Sequence, residues 1–524
     1  AMIASIAQSY PPDAAQFLIL SYVGAKIKEI DAYPHVVGYA DGNDGDFVER
    51  YLGEIERIVN LRQRYATQWA SADANAFLKD KLRTPIEGDP YGRLFLVIDG
   101  LGAMMKEAGG SFGEGAMELS QTIGTLLSRG PNVGVHLIAS TVQFGDIPYK
   151  IRDSFTPMYF SMDDVSDVSD RGARQIIDSI PNTQPGRSVA DQKHARVLVP
   201  QEEVIEPSGE RKGNLIFDPV ANYGQNVSSF ANKVRNAYVE RNATFIPEVV
   251  PAPAVFPYQD MWSAYEHVVD LEERNAYLPI GIKTQDLHVV DLKFEADMQH
   301  LIVAGEPKSG KTNVLRVLIN DVVRQRTNKR AKFLFYDPRN EFFVEERILR
   351  RHKMSVGHAT SPDEMFDLLE QLTMKLEERI PSEDELSDRE QLQSRSWYKG
   401  PDFYVVVDNI MDLEKANGFG NDTKLAKFAA VLKTRNDLGC YVFAAARSSE
   451  ASYLGTNTSK LSEALLNTGS GYLLLSGEKK DGKVGPVGFE KFRPGKGKFY
   501  NGNGVSVVQT ARALEWEDDT SSET

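Results

Sequence analysis

The sequence predicts an α/β protein made of two tandem copies of one module, each a mostly parallel sheet flanked by helices. Three observations lead to this fold class. A glycine-rich loop stands between an apolar run and a helical pattern. Short apolar runs, which are typical of buried strands, alternate with helical patterns along the chain. Four blocks of the second half also recur in the first half, in the same order.

The glycine-rich loop, residues 305–312, reads GEPKSGKT and matches G-x-x-x-x-G-K-[ST]. The apolar run 300–304 before it predicts a strand, and the pattern over 314–323 predicts a helix. In this motif backbone N–H groups surround a phosphate, Lys311 reaches the β- and γ-phosphates, and the Thr312 hydroxyl binds Mg²⁺. The expected nucleotide cradle is Gly305, Glu306, Pro307, Lys308, Ser309, Gly310, Lys311, Thr312 and Asn313.

A second Mg²⁺ partner, a carboxylate that holds the ion through water, is expected at the end of a neighbouring apolar strand. Asp408 closes such a run in FYVVVDN, residues 403–409. Motor ATPases commonly carry Glu at the next position, where it polarises the attacking water, but this chain has Asn409. An amide can orient a water and cannot take its proton. The site is therefore predicted to bind ATP–Mg²⁺ and to hydrolyse it poorly.

The repeat explains the residues before the loop. Its paired blocks are 15–24 with 331–340, 37–62 with 356–379, 94–101 with 403–410, and 127–142 with 432–447. In this alignment Met2 corresponds to Leu318, so the chain begins inside the helix that should follow a first phosphate loop. Met2, Ile3 and Ile6 are expected on one side of that helix.

The first copy departs from the second at key positions. Its candidate Mg²⁺ carboxylate, Asp99, is followed by Gly100, which has no side chain. The segment 21–23 reads Ser-Tyr-Val where 337–339 read Asp-Pro-Arg. Neither copy carries Glu after its aspartate, which predicts weak hydrolysis in both.

The predicted organisation is a first module over 1–240, a Pro/Ala/Val-rich linker over 241–277, a second module over 278–512, and an acidic, solvated tail over 513–524. Within the second module, SPDE at 361–364 predicts a helix start with a capping box.

Composition narrows the class of protein. A net charge of −14 argues against a nucleic-acid track. No run of eighteen apolar residues predicts a membrane span, and we expect no signal peptide. The single cysteine, Cys440, stands in an apolar run and is expected to be a buried structural thiol in a reducing compartment. Core or surface roles are expected for His35, His136, His300 and His358, and no zinc-ligand spacing occurs.

Several local strings carry a family resemblance. They are YPHVVGYA (33–40), DPYGRLFLVIDG (89–100), GVHLIAST (134–141), QPGRSV (184–189), LPIGI (278–282), RSWY (395–398) and LLLSGEK (473–479). In combination with the tandem arrangement they resemble the FtsK/SpoIIIE-like ATPases of type VII (ESX) secretion, the EccC proteins. The resemblance covers nearly the whole chain and implies two RecA/FtsK-like P-loop NTPase modules.

The resemblance also implies a function. Full members have an N-terminal membrane segment and a first ATPase module with Asp-Glu, so this chain would be the second and third modules, as a subunit or as a fragment. In the family, these later modules bind ATP and Mg²⁺ tightly and hydrolyse ATP slowly or not at all. The last module docks the C-terminal export signal of a small helical-hairpin protein. We thus expect a hexameric or ring-forming assembly with other secretion-core components, cytoplasmic at the inner face of the membrane, with DNA disfavoured.

Further residues are carried over from the resemblance. Thr141 falls where DNA-pumping relatives have a polar sensor, and Ala446 takes that place in the second copy. Arg187, Arg493 and Lys496 belong to Pro-Gly-basic segments. These segments either approach a phosphate or a neighbouring module, or form simple turns.

Two hypotheses remain open from the sequence. One is a nucleotide-stabilised platform that recruits secreted protein. The other is an active translocase for protein or DNA, with its water-activating carboxylate and an arginine finger supplied in trans. The duplication disfavours a third, a small-molecule kinase or an unrelated P-loop enzyme.

Overall fold

A computed structural model describes residues 1–109, 114–160, 165–166, 168, 170–180, 186–197, 223–265, 278–292, 300–382, 400–417, 423–435, 437–456, 458–502 and 504–516. The RSWY string lies outside these residues. The chain divides into two compact units, Ala1–Pro251 and Ala252–Thr524. The boundary falls inside the predicted linker, and each unit has its own apolar core.

The first unit is built on a parallel sheet with the order β2-β1-β3-β4. These strands are β1 (Ala15–Ser21), β2 (Val36–Asp41), β3 (Arg93–Asp99) and β4 (Val135–Ser140). The helices are α1 (Met2–Ser9), α2 (Gly45–Trp69), α3 (Ala74–Arg83), α4 (Leu101–Glu107), α5 (Glu114–Arg129), α6 (Tyr149–Arg152), α7 (Arg171–Asp178) and α8 (Tyr223–Glu240). A separate antiparallel sheet contains β5 (Tyr159–Phe160), β6 (Arg187–Ala190) and β7 (Lys193–Arg196).

The second unit has a mixed sheet with the order β10-β9-β20-β19-β16-β11-β15-β14-β12-β13. The strands from β16 to β13 are parallel, and the others extend the sheet in antiparallel fashion. Its strands are β8 (Phe256–Pro257, beside β20), β9 (Leu278–Lys283), β10 (Val289–Leu292), β11 (Leu301–Gly305), β12 (Ala331–Tyr336), β13 (Ser355–Ala359), β14 (Asp402–Asp408), β15 (Cys440–Arg447), β16 (Gly471–Leu475), β19 (Lys496–Tyr500) and β20 (Val505–Arg512), with a separate hairpin of β17 (Lys483–Val484) and β18 (Val487–Gly488). Its helices are α9 (Tyr258–Ala264), α10 (Lys311–Gln325), α11 (Phe343–Arg351), α12 (Pro362–Glu377), α13 (Ile410–Ala416), α14 (Lys424–Thr434) and α15 (Lys460–Asn467).

The duplication predicted from the sequence is visible in strand register. The order β2-β1-β3-β4 of the first unit matches β13-β12-β14-β15 of the second. Both copies shift register at the same place, after Phe17 in one and after Phe333 in the other. Asp99 pairs with Ser140, as Asp408 pairs with Ala445. The predicted fold class of two tandem α/β modules is confirmed.

Two helix predictions are instructive. The capping box of α12 is present, because Ser361 Oγ accepts from the Glu364 N–H at 3.4 Å and the Glu364 carboxylate accepts from the Ser361 N–H at 3.2 Å. In α1 the predicted face was partly wrong. Met2 is 54 % exposed, and the buried face consists of Ile3, Ala4 and Ala7. The short helix therefore buries one isoleucine and two alanines rather than its first side chain.

The described parts of the predicted linker pack on the two units. The Val249 N–H donates to the Val37 carbonyl in the first unit at 2.7 Å. In the second unit, the Tyr258 hydroxyl and the Trp262 indole both donate to Asp321 Oδ1 at 2.8 Å. Burial raises the pKa of the Asp321 carboxyl well above its usual range. Helix α9 is thus fastened to α10, the helix that follows the phosphate loop.

The solvated tail predicted for 513–524 differs from the structure in its first residues. Trp516 packs against the core of the second unit, and its indole N–H donates to Asn320 Oδ1 at 2.6 Å. The aromatic ring gains more from apolar contact than from water. Residues 517–524 lie outside the described part of the chain.

The lone cysteine and the histidines take the structural roles expected of them. Cys440 is buried, and burial raises the pKa of its thiol to about 12. His300 is buried too, and its Nδ1 accepts from the Val442 N–H at 3.0 Å. His35 Nε2 contacts the Tyr10 carbonyl at 2.7 Å, and His136 stacks on Phe95. Among the described residues, no group of three His, Cys, Asp or Glu side chains could hold a metal ion.

Candidate nucleotide site

The phosphate loop joins β11 to α10, as the sequence predicts. Lys308 and Gly310 have positive φ values of 65° and 109°, which turn successive backbone N–H groups toward one concave side. A side chain at position 305 would stand 2.5 Å from Ser309 Oγ, so only glycine fits there. Helix α10 then begins at Lys311 with its N-terminus at the loop. The backbone itself therefore has the geometry of a phosphate cradle.

Lys311 folds back onto this loop. Its ammonium group donates to the carbonyls of Gly305 at 2.9 Å and Glu306 at 2.7 Å. Burial lowers the pKa of Lys311; the positive charges of Arg339 and Arg447 act in the same direction, whereas Asp408 acts in the other. The lysine is thus held over the cradle within the field of both arginines.

A C-terminal segment, residues 476–495, contacts the loop from outside and is called the brace. The Glu306 N–H donates to the Ser476 carbonyl at 2.8 Å, and the Glu306 carboxylate also forms an ion pair with Lys491. The Gly495 N–H donates to the Ser309 carbonyl at 2.9 Å. Position 495 needs glycine, because its φ is 79° and a Cβ would lie 2.8 Å from the Gln509 amide.

Arg493 and Lys496 flank Gly495 of the brace in a turn. The Arg493 guanidinium donates to Gln509 Oε1 at 3.0 Å and to the Ala252 carbonyl at 3.1 Å. The Lys496 ammonium lies 5.8 Å from the Phe492 ring centroid, and its N–H donates to the Arg493 carbonyl. These contacts are to other protein groups, and the role at a phosphate or a neighbouring module stays a prediction. The phosphate loop is touched by the backbone of Gly495.

Asp408 ends β14, and its carboxylate is only 1 % exposed. Its Oδ2 accepts a charged hydrogen bond from Arg339 Nη2 at 2.8 Å, which raises the pKa of the arginine. The side chain of Arg339 is 54 % exposed. The predicted Mg²⁺ partner is therefore held by a guanidinium that lies between it and solvent.

Arg339 is set in a pre-formed turn. The buried Asp337 carboxylate accepts from the N–H groups of Glu341 at 2.9 Å and Phe342 at 2.8 Å. Asn340 has a φ of 55° in the same turn. The sequence comparison noted Asp-Pro-Arg as a difference between the copies and gave Arg339 no role. Its spacing after a buried strand was the available signal.

Asn409 caps α13. Its Oδ1 accepts from the Met411 N–H at 3.2 Å, and its Nδ2 donates to Asp412 at 3.3 Å and to Glu450 Oε2 at 3.2 Å. The side chain is buried. The amide is thus engaged with protein groups on both its oxygen and its nitrogen.

A second arginine at this edge was missed by the sequence comparison. Arg447 ends β15 and pairs in register with Gly305, the first residue of the phosphate loop. Its side chain is exposed, whereas Ala446, carried over as the sensor position, is buried. The predicted sensor position, Ala446, is one residue before the arginine that ends the strand.

The corresponding edge of the first unit has different chemistry. Asp99 Oδ1 accepts from the Ser140 hydroxyl at 2.6 Å, and Ser140 Oγ itself accepts from the Gly100 N–H at 2.9 Å. Thr141 Oγ1 donates to the Gln143 carbonyl at 2.9 Å, so it shapes the turn after β4. Arg187 stands apart in β6, paired in register with Arg196 of β7.

The residues of the second unit fit a nucleotide. Ser309 Oγ is buried without a hydrogen-bond partner among the described residues, at the centre of the loop. The positive charges of Lys311, Arg339 and Arg447 lie near the buried Asp408 carboxylate. Thr312 and Asp408 supply the hydroxyl and carboxylate oxygens that Mg²⁺ prefers. A triphosphate matches this excess of positive charge.

Comparison with known proteins points the same way. Residues 268–402 match the FtsK/SpoIIIE family. The chain is 24 % identical over 516 residues to the ESX-1 secretion system protein EccCb1 of Mycolicibacterium smegmatis and covers 81 % of it. It is 25 % identical to the ESX secretion system protein EccC of Thermomonospora curvata and spans 36 % of that protein.

Solved structures share the fold. The Thermomonospora curvata EccC structure of ATPases 2 and 3 in complex with a signal sequence peptide superposes with a TM-score of 0.76 at 23 % identity, covering 98 % of this chain and 85 % of that one. The cytoplasmic domain of the same ATPase gives a TM-score of 0.74 at 22 % identity, covering 98 % of this chain and 55 % of that one.

Within the described residues, no helix is long and apolar enough to cross a membrane. Sequence, fold and relatives thus agree: residues 268–402 match the FtsK/SpoIIIE family, and the chain is similar to EccC secretion proteins over nearly its whole length.

Proposed function

We propose that this chain is an ATP-binding subunit or fragment of a type VII secretion motor, in which degenerate ATPase modules hold nucleotide and recruit secreted protein. The observation that carries the proposal is Asn409. It follows the candidate Mg²⁺ carboxylate, where a hydrolysing site needs a base, and its amide is committed to capping α13 and to Glu450. The site can therefore bind ATP without a group that accepts a proton from water.

In this proposal each part of the cradle has a binding role. Backbone N–H groups of residues 308–313 hold the phosphates, and Lys311 exchanges its two loop carbonyls for the β- and γ-phosphate oxygens. Thr312 and Asp408 hold Mg²⁺, which would neutralise phosphate charge. Arg447 lies beside the loop, where its charge attracts the γ-phosphate. In the first unit Asp99 is the equivalent carboxylate, and Gly100 supplies no base.

The recruitment part of the proposal assigns a groove in the second unit. It has a volume of about 590 Å³ and lies between α10, α11 and residues 514–516. Its apolar lining consists of Val323, Ile348, Leu349, Met354, Leu514 and Trp516. The related EccC complex of ATPases 2 and 3 with a signal sequence peptide supports a peptide-binding role for this chain. An amphipathic export signal would place its apolar side chains in this groove.

The wider setting follows from the relatives. The chain would act with other secretion-core components, in a ring-forming or hexameric assembly, at the cytoplasmic face of the membrane. Its substrates would be small helical-hairpin proteins rather than DNA, in keeping with the net charge of −14.

Thermal unfolding of the full chain tests nucleotide binding. ATP at a hundred times its dissociation constant stabilises the second unit by about 2.7 kcal/mol, or a rise in melting temperature of roughly 5–10 °C. Lys311→Ala should lose this rise. Lys329→Ala, which removes an exposed lysine beyond the end of α10, should keep it. Equal stabilisation of wild type and Lys311→Ala would contradict the assigned cradle.

A binding assay tests the groove. A labelled synthetic C-terminal signal peptide from a helical-hairpin substrate should bind the wild-type chain in fluorescence polarisation. Ile348→Asp puts a charge in the groove and should abolish binding. Ile380→Asp changes an isoleucine that is 48 % exposed and outside the groove lining, and should have no effect. Loss of binding in both variants, or in neither, would argue against this groove.

A further inference from the structure

The ion pair between Arg339 and Asp408 bears on how the site handles charge. Asp408 is 1 % exposed, and a carboxylate this buried needs a positive partner. Arg339 supplies one at 2.8 Å while remaining 54 % exposed itself. The guanidinium therefore satisfies the carboxylate in the position where the family fold would use a metal ion.

Hydrogen bonds of the second unit fix the turn that carries Arg339. Asp337 fixes the turn before Arg339 through two backbone N–H groups, and His358 Nε2 lies 3.3 Å from the same carboxylate. The first unit offers an internal comparison. Val23 takes the place of Arg339 there, and Asp99 accepts from the neutral Ser140 hydroxyl instead.

The charges around the cradle explain what the pair can do. If Arg339 were absent, Asp408 would present to an incoming triphosphate a negative charge that the field of Lys311 offsets only in part. A cation in contact with Asp408 therefore favours nucleotide binding, and two candidates for that contact exist, the guanidinium of Arg339 and a divalent metal ion. They cannot occupy Asp408 Oδ2 together.

Resting on the proposed function, we infer that Arg339 is the resident cation of the second module's nucleotide site. It lets the module bind ATP without a divalent metal ion, and it must leave Asp408 before that carboxylate is free for one. Arg339 is a positioning residue for Asp408. The consequence is a nucleotide affinity that depends little on Mg²⁺.

Calorimetric titration of the full chain with ATP, in EDTA and in MgCl₂, measures this dependence. Wild type should bind ATP with affinities within about threefold of each other in the two buffers, because either cation satisfies Asp408. In Arg339→Gln, the affinity in EDTA should fall by at least roughly tenfold, because the carboxylate is left buried and unpaired. MgCl₂ should restore it.

Two further variants keep the test decisive. Arg350→Gln is a matched control, because Arg350 is 66 % exposed and pairs at 2.8 Å with the 5 % exposed Glu346 away from the loop. It should behave as wild type. The double variant Arg339→Gln/Asp408→Asn removes the charge that needs a partner, so it should again bind ATP in EDTA. This recovery would also show that the arginine change leaves the fold intact.

Each contrary result has a distinct meaning. A wild-type chain that needs MgCl₂ as strongly as Arg339→Gln does would overturn the inference and leave the proposed function standing. An equal loss of affinity in both buffers for Arg339→Gln, unrelieved in the double variant, would make Arg339 a direct phosphate ligand and refute its role at Asp408. No ATP binding by wild type in either buffer would refute both the inference and the proposed function.

Discussion

Replacing Asn409 by glutamate tests whether this position is an empty catalytic slot or a structural cap. The substitution supplies the residue that motor ATPases carry there. In this structure it also removes the α13 cap, withdraws the amide from Glu450, and adds a third carboxylate beside Asp412 and Glu450. Burial already raises the pKa of Asp412, and Glu450 contributes to this. A further negative charge at position 409 therefore destabilises the folded chain.

The cost can be worked from these contacts. Loss of the cap costs about 1 kcal/mol, since glutamate is not a cap residue. Loss of the hydrogen bond to Glu450 costs about 1 kcal/mol, a value at the lower end because Glu450 keeps its ion pair with Lys415 at 2.5 Å. Repulsion between partly solvated carboxylates adds a few tenths of a kcal/mol. We expect the second unit to lose about 2–3 kcal/mol.

Differential scanning calorimetry of the full chain is the assay. The second unit should melt roughly 4–10 °C lower in Asn409→Glu, and the variant should release no more ADP from ATP than wild type. Asn409→Asp preserves the cap but loses the same hydrogen bond to Glu450 and adds the same charge, so it should cost about 1–1.5 kcal/mol. Steady ATP hydrolysis by Asn409→Glu at unchanged stability would refute the structural assignment and mark position 409 as catalytic.

Three further predictions concern the brace and the cores. Gly495→Ala places a Cβ 2.8 Å from the Gln509 amide at a φ of 79°. The ATP affinity measured by calorimetry should therefore fall severalfold. An unchanged affinity would mean that the brace does not shape the loop. His300 stays neutral when folded, with a pKa lowered to about 3 by burial, whereas the unfolded chain takes up a proton near 6.5. The free energy of unfolding is therefore fully present above pH 6.5 and falls by about 3 kcal/mol between pH 7 and pH 4. Urea unfolding of His300→Asn should lack this pH-dependent loss. Arg62→Met removes the guanidinium partner of the fully buried Asp89 and leaves it the Lys81 ammonium at 3.3 Å, so it should lower the stability of the first unit by about 3 kcal/mol, with partial recovery in the double variant that also carries Asp89→Leu.

Much of the fold follows from patterns that the sequence displays directly. The loop between β11 and α10, the cap of α12 and the matching registers of the two sheets depend on residues close together in sequence or on alternating apolar runs. Such local rules act before tertiary contacts form. The buried face of α1 was less predictable, because Ile3 and two alanines are buried there whereas Met2 projects into solvent.

The details of the site depend on contacts between distant segments. The partnership of Arg339 with Asp408 spans 69 positions, and the brace from Gly495 to Ser309 spans more. No periodicity or motif encodes such contacts. The sequence likewise identified Asn409 as unable to take a proton, but its commitment to Glu450 needed the folded chain. The packing of Trp516 also escaped notice, because an acidic surrounding sequence favoured a solvated tail.

The most direct test of the central claim is calorimetric titration of the full chain with ATP–Mg²⁺, followed by assay of the cell contents for ADP. Tight binding with the ATP recovered intact is the predicted result. It would mean that the second module holds nucleotide without consuming it. Steady production of ADP that is lost in Lys311→Ala would contradict the claim and show that this chain hydrolyses ATP itself.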